Sequence, residues 1–230
     1  MRDIHEQVIN KAQLDDSFEA LEMPDPERPI QSRLPDDCDI NDPISFFSLF
    51  FGEEQYELLA RNTNKYAAAY PSIFPAREHR YWKPTDSDEI KVYLALLIFM
   101  GINCYKDPKS HWKSPIRDSP VHHIKWVRYK HMKSIFKVSD IDDDLEHKDT
   151  PGDWHFKLSP LDTHLQEQFQ AVVILGSKIS YDEMMIRFRG RSSHRTKVPN
   201  KPQPDGFKLW TLCEKGYLYD WLYYSGTQGT

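Results

Sequence analysis

The chain has 230 residues, 39% of them hydrophobic and 13% aromatic, and its formal net charge is −5. That length holds one large domain or two small ones, and the aromatic content is sufficient for a sizeable core. The cysteines Cys38, Cys104 and Cys213 are far apart and odd in number, which excludes a disulfide framework and a zinc knuckle.

Residues 1–42 form an acidic segment in which prolines are frequent and large apolar side chains are few. We predict that this segment is disordered, because it cannot bury enough surface to offset its chain entropy. No apolar run follows the charged start, so we expect no signal peptide and a soluble intracellular protein. The remaining chain is mildly basic, and an acidic tail beside a basic body is typical of a protein that meets a polyanion. A solvated surface of mixed charge is the alternative interpretation.

Residues 43–175 are predicted to form a helical region. Apolar residues recur near helical spacing from Ile44 to Leu59, which predicts a helix facing a core. The sequence from Phe51 to Tyr70 is interpreted as one long helix or as two, with residues 62–64 as the weak point.

A second strong helix is predicted to begin after Asp86. Asp86 and Glu89 have the spacing of a capping box, and the acidic first turn suits the helix dipole. We expect Gly101 to end this helix. The apolar run Val92–Ile102 is shorter than the roughly 20 residues that span a bilayer, so we predict a core helix and no membrane span. Its core face is predicted to contain Ile90, Tyr93, Leu94, Leu97 and Ile98.

Helix-like stretches recur at residues 122–137 and 158–175, with an acidic loop predicted between them. Four aspartates of this loop are oxygen donors, but they lack the ligand alternation and glycine placement of an EF-hand, so a solvated loop is favoured. These aspartates are Asp140, Asp142, Asp143 and Asp144. Adjacent residues on a helix point about 100° apart, so His122 and His123 are not expected to bind one metal ion together.

Residues 176–230 are predicted to be rich in strands. The first strand follows Gly176, and alternation places Tyr181 and Glu183 on one face and Asp182 on the other. Two more strands are predicted at residues 207–213 and 217–226, joined by a short hairpin connection at residues 214–216. Consecutive strands after a helical region indicate an α+β fold and not a βαβ repeat.

The strand segment carries a family resemblance. Residues 180–191, SYDEMMIRFRGR, resemble the piggyBac pattern "hxhDEphhxFxGR". Residues 199–202 and 206–209 resemble its "PxKPxxxGhKh" sequel, and residues 216–226 are similar to the "GYhxxhxhYxG" that comes next. Upstream, residues 46–47, 63–67 and 100–102 also fit. From about residue 40 to 230, the sequence resembles a piggyBac-type DDE transposase.

The resemblance implies a ribonuclease-H-like catalytic core preceded by a helical dimerisation and DNA-binding region. It implies that Asp182 is the first acidic metal ligand on the first core strand. DNA hydrolysis and strand transfer in this family use two divalent metals, and magnesium prefers oxygen ligands. Glu183 faces the opposite side of the strand, and we assign it no catalytic role.

The family's second and third aspartates are expected beyond residue 230, so the resemblance covers a truncated core. A single carboxylate does not hold two magnesium ions in register, so we expect that this chain alone neither cuts nor joins DNA. One hypothesis is therefore a transposase-derived protein whose ancestral activity was DNA cut-and-paste transposition. The alternative is a non-catalytic DNA-binding or dimerisation protein derived from a transposase.

DNA, in the form of transposon ends, is the partner that the resemblance implies, with a homodimer and nuclear residence as further expectations. Arginine's planar fork suits phosphate oxygens, and six basic residues are the candidate DNA contacts: Arg187, Arg189, Arg191, Arg195, Lys197 and Lys201. A weaker candidate set lies in the helical region: Lys113, Lys125, Arg128, Lys130 and Lys133. Charge that serves solubility alone is the alternative for the first set.

Overall fold

The computed structural model describes residues 28–73, 82–113, 116, 119–147, 154–199 and 201–224. The helices are α1 Pro43–Phe50, α2 Glu53–Ala69, α3 Ser87–Ile102, α4 Trp126–Ile135, α5 Ile141–Glu146 and α6 Ser159–Ala171. The strands are β1 Gln31–Ser32, β2 Val173–Ile174, β3 Ser180–Arg187, β4 Thr196–Lys197, β5 Asp205–Glu214 and β6 Tyr217–Tyr223. None of the described helices is long and apolar enough to cross a membrane.

Helix α2 continues through the predicted weak point. The Asn62 side chain donates a hydrogen bond to the Val138 carbonyl at 2.6 Å. The Asn64 amide donates to the Thr85 carbonyl at 2.7 Å and accepts from the Thr85 N–H at 2.8 Å. Asparagine weakens a helix when its side chain competes for the local backbone. Here both amides bond to other segments, so the helix remains continuous.

Helix α3 begins as predicted and ends later than predicted. The Asp86 carboxylate accepts a hydrogen bond from the Glu89 N–H at 2.8 Å, but the Glu89 side chain bonds to Arg128 and not to the cap. The prediction that Gly101 ends the helix is wrong. The helix runs to Ile102, and Asn103 closes it by donating from its backbone N–H to the Phe99 carbonyl at 2.8 Å.

The helical core lies between α2, α3 and α4. Its most buried side chains include Leu59, Ile90, Leu96 and Met132. The predicted core face of α3 is partly wrong, since Leu97 is 39% and Ile98 52% exposed. The run from Val92 to Ile102 is apolar almost all round, so spacing alone did not distinguish the inward stripe of Ile90, Tyr93 and Leu96 from its neighbour.

The predicted acidic loop is a short helix between Ile141 and Glu146, so the loop prediction is wrong there. The Asp140 carboxylate caps this helix by accepting from the Asp142 N–H at 2.9 Å. Lys65 pairs with Asp140 and, at 2.7 Å, with Asp142. Asp144 is buried and accepts a hydrogen bond from the Ser139 hydroxyl. Acids at a helix start are stabilised by the helix dipole, and lysine neutralises them further.

The three predicted strands form one antiparallel sheet. Strand β5 pairs along one side with β3 and along the other with β6 and the short β4. Residues 215 and 216 have φ angles of 47° and 86° and form the tight turn between β5 and β6. Two left-handed residues match the right-handed twist of a hairpin. Helix α6 packs against β6, where Gln166 donates to the Asp220 carboxylate at 2.8 Å and to the Trp221 carbonyl at 2.7 Å.

Residues 28–42 contradict the predicted disorder of the acidic segment, whereas residues 1–27 lie outside the described residues. Strand β1 pairs antiparallel with β2. The Arg33 N–H donates to the Val172 carbonyl at 2.7 Å, and the Ser177 N–H donates to the Arg28 carbonyl at 2.9 Å. These are main-chain bonds, which do not depend on the apolar side chains that the segment lacks.

Candidate nucleic-acid interface beside Asp182

Asp182 lies in the middle of β3, where it pairs with Thr211 of β5. Its carboxylate is exposed and accepts a hydrogen bond from the Glu183 N–H at 2.7 Å. Its backbone carbonyl accepts from the buried Thr211 hydroxyl at 3.0 Å. The backbone of this residue is therefore fixed by its neighbour strand, while its carboxylate reaches solvent.

Asp182 does not belong to a cluster of three possible metal ligands among the described residues. Within the described part of the chain, no group of three or more histidine, cysteine or acidic side chains is placed to hold a metal ion. Magnesium in a phosphoryl-transfer site takes one or two carboxylates in addition to waters and substrate oxygens. The described residues therefore do not by themselves form a two-metal centre.

Glu183, next in the strand, faces the other side as alternation predicts. Its carboxylate lies 2.6 Å from the Lys208 ammonium and 3.3 Å from that of Lys201. Hydrogen bonds from Lys208 and then Lys201 lower the pKa of Glu183. Lys201, one of the six predicted DNA contacts, is thus partly engaged by an acid of the same sheet.

The other five predicted contacts lie between the last residue of β3 and the short strand β4. We call residues 187–199 the basic loop; Arg187, Arg189, Arg191, Arg195 and Lys197 are all exposed there. Arg195 bonds to the Gly190 carbonyl at 3.4 Å and approaches the Asp205 carboxylate at 3.9 Å. For the remaining four cations, no ion pair occurs among the described residues.

An aromatic cluster beneath the basic loop was not predicted from the sequence. Phe188 packs on Phe207, with ring centroids 4.6 Å apart. His194 stacks on Trp154, with centroids 4.7 Å apart. In the sequence, Phe207 was recognisable only as part of an alternating strand. No pattern links Trp154 to His194, which lies 40 residues later.

The weaker candidate set in the helical region is only partly available. The Arg128 guanidinium bonds to both carboxylate oxygens of Glu89, with Nε at 2.7 Å from Oε1. It also lies over the Trp82 ring at 4.2 Å. Burial raises the pKa of Glu89, but hydrogen bonds from Arg128 and Thr85 together with the Arg128 charge outweigh that effect and leave the pKa lowered. Arg128 therefore ties α4 to α3.

Comparisons with known proteins identify the family. A family model described as Transposase IS4 matches residues 42–230. The human PiggyBac transposable element-derived protein 2 is 26% identical over 196 residues, which cover 82% of this chain and 30% of that protein. The human PiggyBac transposable element-derived protein 3 is 24% identical over 171 residues, which cover 73% of this chain and 26% of that protein.

A solved structure has the same fold. The cryo-EM structure of a piggyBac transposase synaptic complex with hairpin DNA aligns with a TM-score of 0.64 and 23% identity, covering 89% of this chain and 42% of that one. The chain belongs to the Transposase IS4 family. Within that family it is a piggyBac-type, transposase-derived protein. It spans less than a third of the length of the curated relatives it matches.

Proposed function

We propose that this chain binds DNA through its basic loop, as a transposase-derived protein. The observation that carries the proposal is the cluster of exposed cations immediately after the strand that presents Asp182. The solved relative of the same fold is a complex with hairpin DNA. DNA is therefore the polyanion that these cations best fit.

The chemistry of the basic loop supports a phosphate contact. Guanidinium groups form paired hydrogen bonds to phosphate oxygens and are less strongly hydrated than lysine, so arginine is preferred for such contacts. Contacts of this kind release counterions, give affinity without sequence preference and weaken as salt rises. The proposal is therefore salt-sensitive DNA binding, and it specifies no DNA sequence.

Charge reversal tests this proposal. We expect Arg189→Glu with Arg191→Glu to weaken binding of a fluorescent DNA duplex by at least about tenfold at low salt, since two phosphate contacts become repulsions. The matched control is Lys106→Glu with Lys109→Glu, which changes the net charge equally at exposed positions of the helical region. Equal weakening by the two double variants would show that net charge, and not the basic loop, governs binding.

We further propose that Asp182 is the first carboxylate of the family's metal-dependent core. Its support is the strand motif and the exposed carboxylate on a backbone fixed by pairing with β5. When bound, magnesium would supply activation of the attacking oxygen and stabilisation of the leaving one. In this chain, Asp182 would supply a single ligand, so ancestral cut-and-paste activity requires further carboxylates.

A plasmid-nicking assay with magnesium tests the catalytic part. We expect the chain to produce no nicked plasmid above background, and we expect Asp182→Asn to behave identically. Magnesium-dependent nicking that Asp182→Asn abolishes would overturn this expectation.

Homodimer formation is a second candidate function, favoured by one observation. The outer face of α3 is apolar and exposed, with Ile98 52% and Ile102 77% accessible. With Ile44 and Phe47 of α1, it borders a cavity of about 670 Å³ between α1, α2 and α3. Apolar patches of this kind mark interaction surfaces.

Sedimentation velocity tests the dimer. We expect Ile98→Lys to shift the population to monomer, whereas Leu145→Lys, at a 61% exposed position of α5, should leave it unchanged. A wild-type chain that is monomeric at every concentration would refute the dimer. For a transposase-derived DNA-binding protein we also expect nuclear residence in a eukaryotic host, which imaging of a fluorescent fusion tests.

A further inference from the structure

The basic loop carries like charges close together, so something must hold it against their repulsion. Arg189, Arg191 and Arg195 all lie within seven residues of one another, in a segment without strand pairing before Thr196. Like charges repel in the free protein. If the loop becomes ordered only when DNA binds, the free energy of that ordering lowers the affinity. A contact that orders the loop beforehand would therefore strengthen binding.

The loop is attached to the sheet at two points by aromatic rings. At its start, Phe188 packs on Phe207 of β5 at 4.6 Å. Near its end, His194 lies parallel to Trp154, with an interplanar angle of 7° and centroids 4.7 Å apart. Arg189 and Arg191 lie between these two points, and Arg195 directly follows the second.

Trp154 connects the second attachment to the sheet. Its ring also contacts Phe207 at 5.0 Å and meets Tyr223 of β6 edge-on at 5.5 Å. The neighbouring His155 stacks on Tyr223 at 4.2 Å. Trp154 therefore lies between His194 on the loop and two strands of the sheet, and Phe207 is shared by both attachments.

Short hydrogen bonds shape the loop between these rings without attaching it to the sheet. The His194 N–H donates to the Ser192 hydroxyl at 3.2 Å, and the Arg195 side chain donates to the Gly190 carbonyl at 3.4 Å. Both bonds lie within the loop itself. The orientation of the loop relative to Asp182 thus depends on the aromatic contacts, on β4 and on the approach of Arg195 to Asp205 of β5 at 3.9 Å.

We propose that Trp154 is a positioning residue for the basic loop: by holding His194 against the sheet, it fixes the arginines in the arrangement that contacts DNA. The consequence for binding rests on the proposed function, but the ordering of the loop does not. Each parallel or edge-on aromatic contact stabilises the ordered loop by only part of the free energy that ordering the loop costs. Loss of the stack should therefore raise loop opening and weaken DNA binding by about three- to tenfold.

Limited trypsin digestion of the free protein tests the ordering directly. Trypsin cleaves after arginine, so Arg189, Arg191 and Arg195 report the opening of their own loop. We expect Trp154→Leu to speed cleavage at these bonds by about three- to tenfold, since proteolysis follows the population of the open form. Trp154→Phe, which keeps an aromatic face, should restore most of the protection. His194→Ala removes the loop side of the stack and should speed cleavage by a similar factor, so the test does not depend on the folding of Trp154→Leu.

A core variant separates loop release from general instability. Met132→Ala opens the helical core, where Met132 is fully buried, and leaves the aromatic cluster intact. Met132→Ala and His194→Ala would be compared under conditions where the two variants have the same stability. Equally fast cleavage of the basic loop in both would overturn the proposal. Unchanged cleavage in both Trp154→Leu and His194→Ala would do so as well.

DNA titration then distinguishes this proposal from the proposed function. Trp154→Leu should weaken duplex binding while the slope of affinity against salt stays that of the wild type, because every cation remains. If the wild-type chain binds no DNA but the loop is released in the variants, the proposed function fails and the positioning role stands. If binding falls without loop release, the positioning role fails.

Discussion

Gly176 lies where three segments of the chain come into contact. A Cβ atom there would be 2.2 Å from the Arg28 carbonyl oxygen, 2.6 Å from a carboxylate oxygen of Glu214 and 2.9 Å from the Ile30 nitrogen. Two of these atoms are backbone and cannot rotate away. We therefore expect Gly176→Ala to lower the free energy of unfolding by about 1–3 kcal/mol, measured by urea denaturation.

Gly101 provides the matched control for Gly176. A Cβ at this helical position would meet nothing within 4 Å. Alanine is preferred over glycine in a helix by roughly 0.5–1 kcal/mol, so Gly101→Ala should stabilise the protein slightly. A Gly176→Ala variant as stable as the wild type would show that the β1–β2 segment is not held against the sheet.

Tyr217 makes stability depend on alkaline pH. Its hydroxyl donates to the Phe169 carbonyl at 2.7 Å, and burial raises its pKa to about 12. An acid group with a raised pKa contributes stability that is complete below its unfolded pKa of about 10 and is lost as pH rises through the folded value. We expect Tyr217→Phe to cost about 0.5–1.5 kcal/mol at pH 8 and to reduce the further loss between pH 10 and 12, measured by urea denaturation across pH. An unchanged pH profile in the variant would contradict this assignment.

Asp182 shows how far single residues could be predicted. Among the described residues, nothing around it distinguishes it from an ordinary exposed strand residue, and its assigned role came from the motif of residues 180–191. Alternation did separate it from Glu183, which pairs with Lys208 on the other face. The ion pair that engages Lys201 was not predictable, because it joins β3 to a bend that precedes β5 in a separate segment of the chain.

At the scale of elements, the N-terminus of α3 gives a paired test. Asp86 accepts the Glu89 N–H at 2.8 Å, whereas Asp88 is an exposed acid of the same first turn. Asp86→Ala should lower the free energy of unfolding by about 1 kcal/mol, through loss of the cap. Asp88→Ala should change it by no more than about 0.5 kcal/mol, because its pairing with Lys91 is at the surface. Equal losses in thermal or urea unfolding would indicate that the acidic turn, and not the cap, stabilises the helix.

Elements with one clear periodicity were predictable, and those decided by distant partners were not. The β5–β6 hairpin followed from alternation and the turn at residues 215–216. Helix α5 did not, because its aspartates are stabilised by Lys65 from α2. Strand β1 was missed since its pairing partner is more than 140 residues away in sequence.

At the scale of the whole molecule, the helical core and the sheet are joined through α6. Phe169 of this helix contacts Phe50 of α1 at 4.7 Å and Trp221 of β6 at 5.8 Å. The His164 ring lies 3.0 Å from the Phe50 carbonyl oxygen. The same helix therefore packs on both the helical region and the strand next to β5, and this links the position of the basic loop to the rest of the fold. The α+β order was predictable from sequence. The connection through α6 was not, because it depends on contacts with Phe50, which lies more than 100 positions away in sequence.

The salt dependence of duplex binding tests the central claim most directly. The association constant would be measured from 50 to 300 mM salt for the wild type and for Arg189→Glu with Arg191→Glu. If Arg187, Arg189, Arg191 and Lys197 contact phosphates, the wild-type logarithmic slope should be about −3 to −4, and its magnitude should fall by about two in the variant. A wild-type affinity independent of salt, or the same slope in both proteins, would contradict DNA binding through this loop.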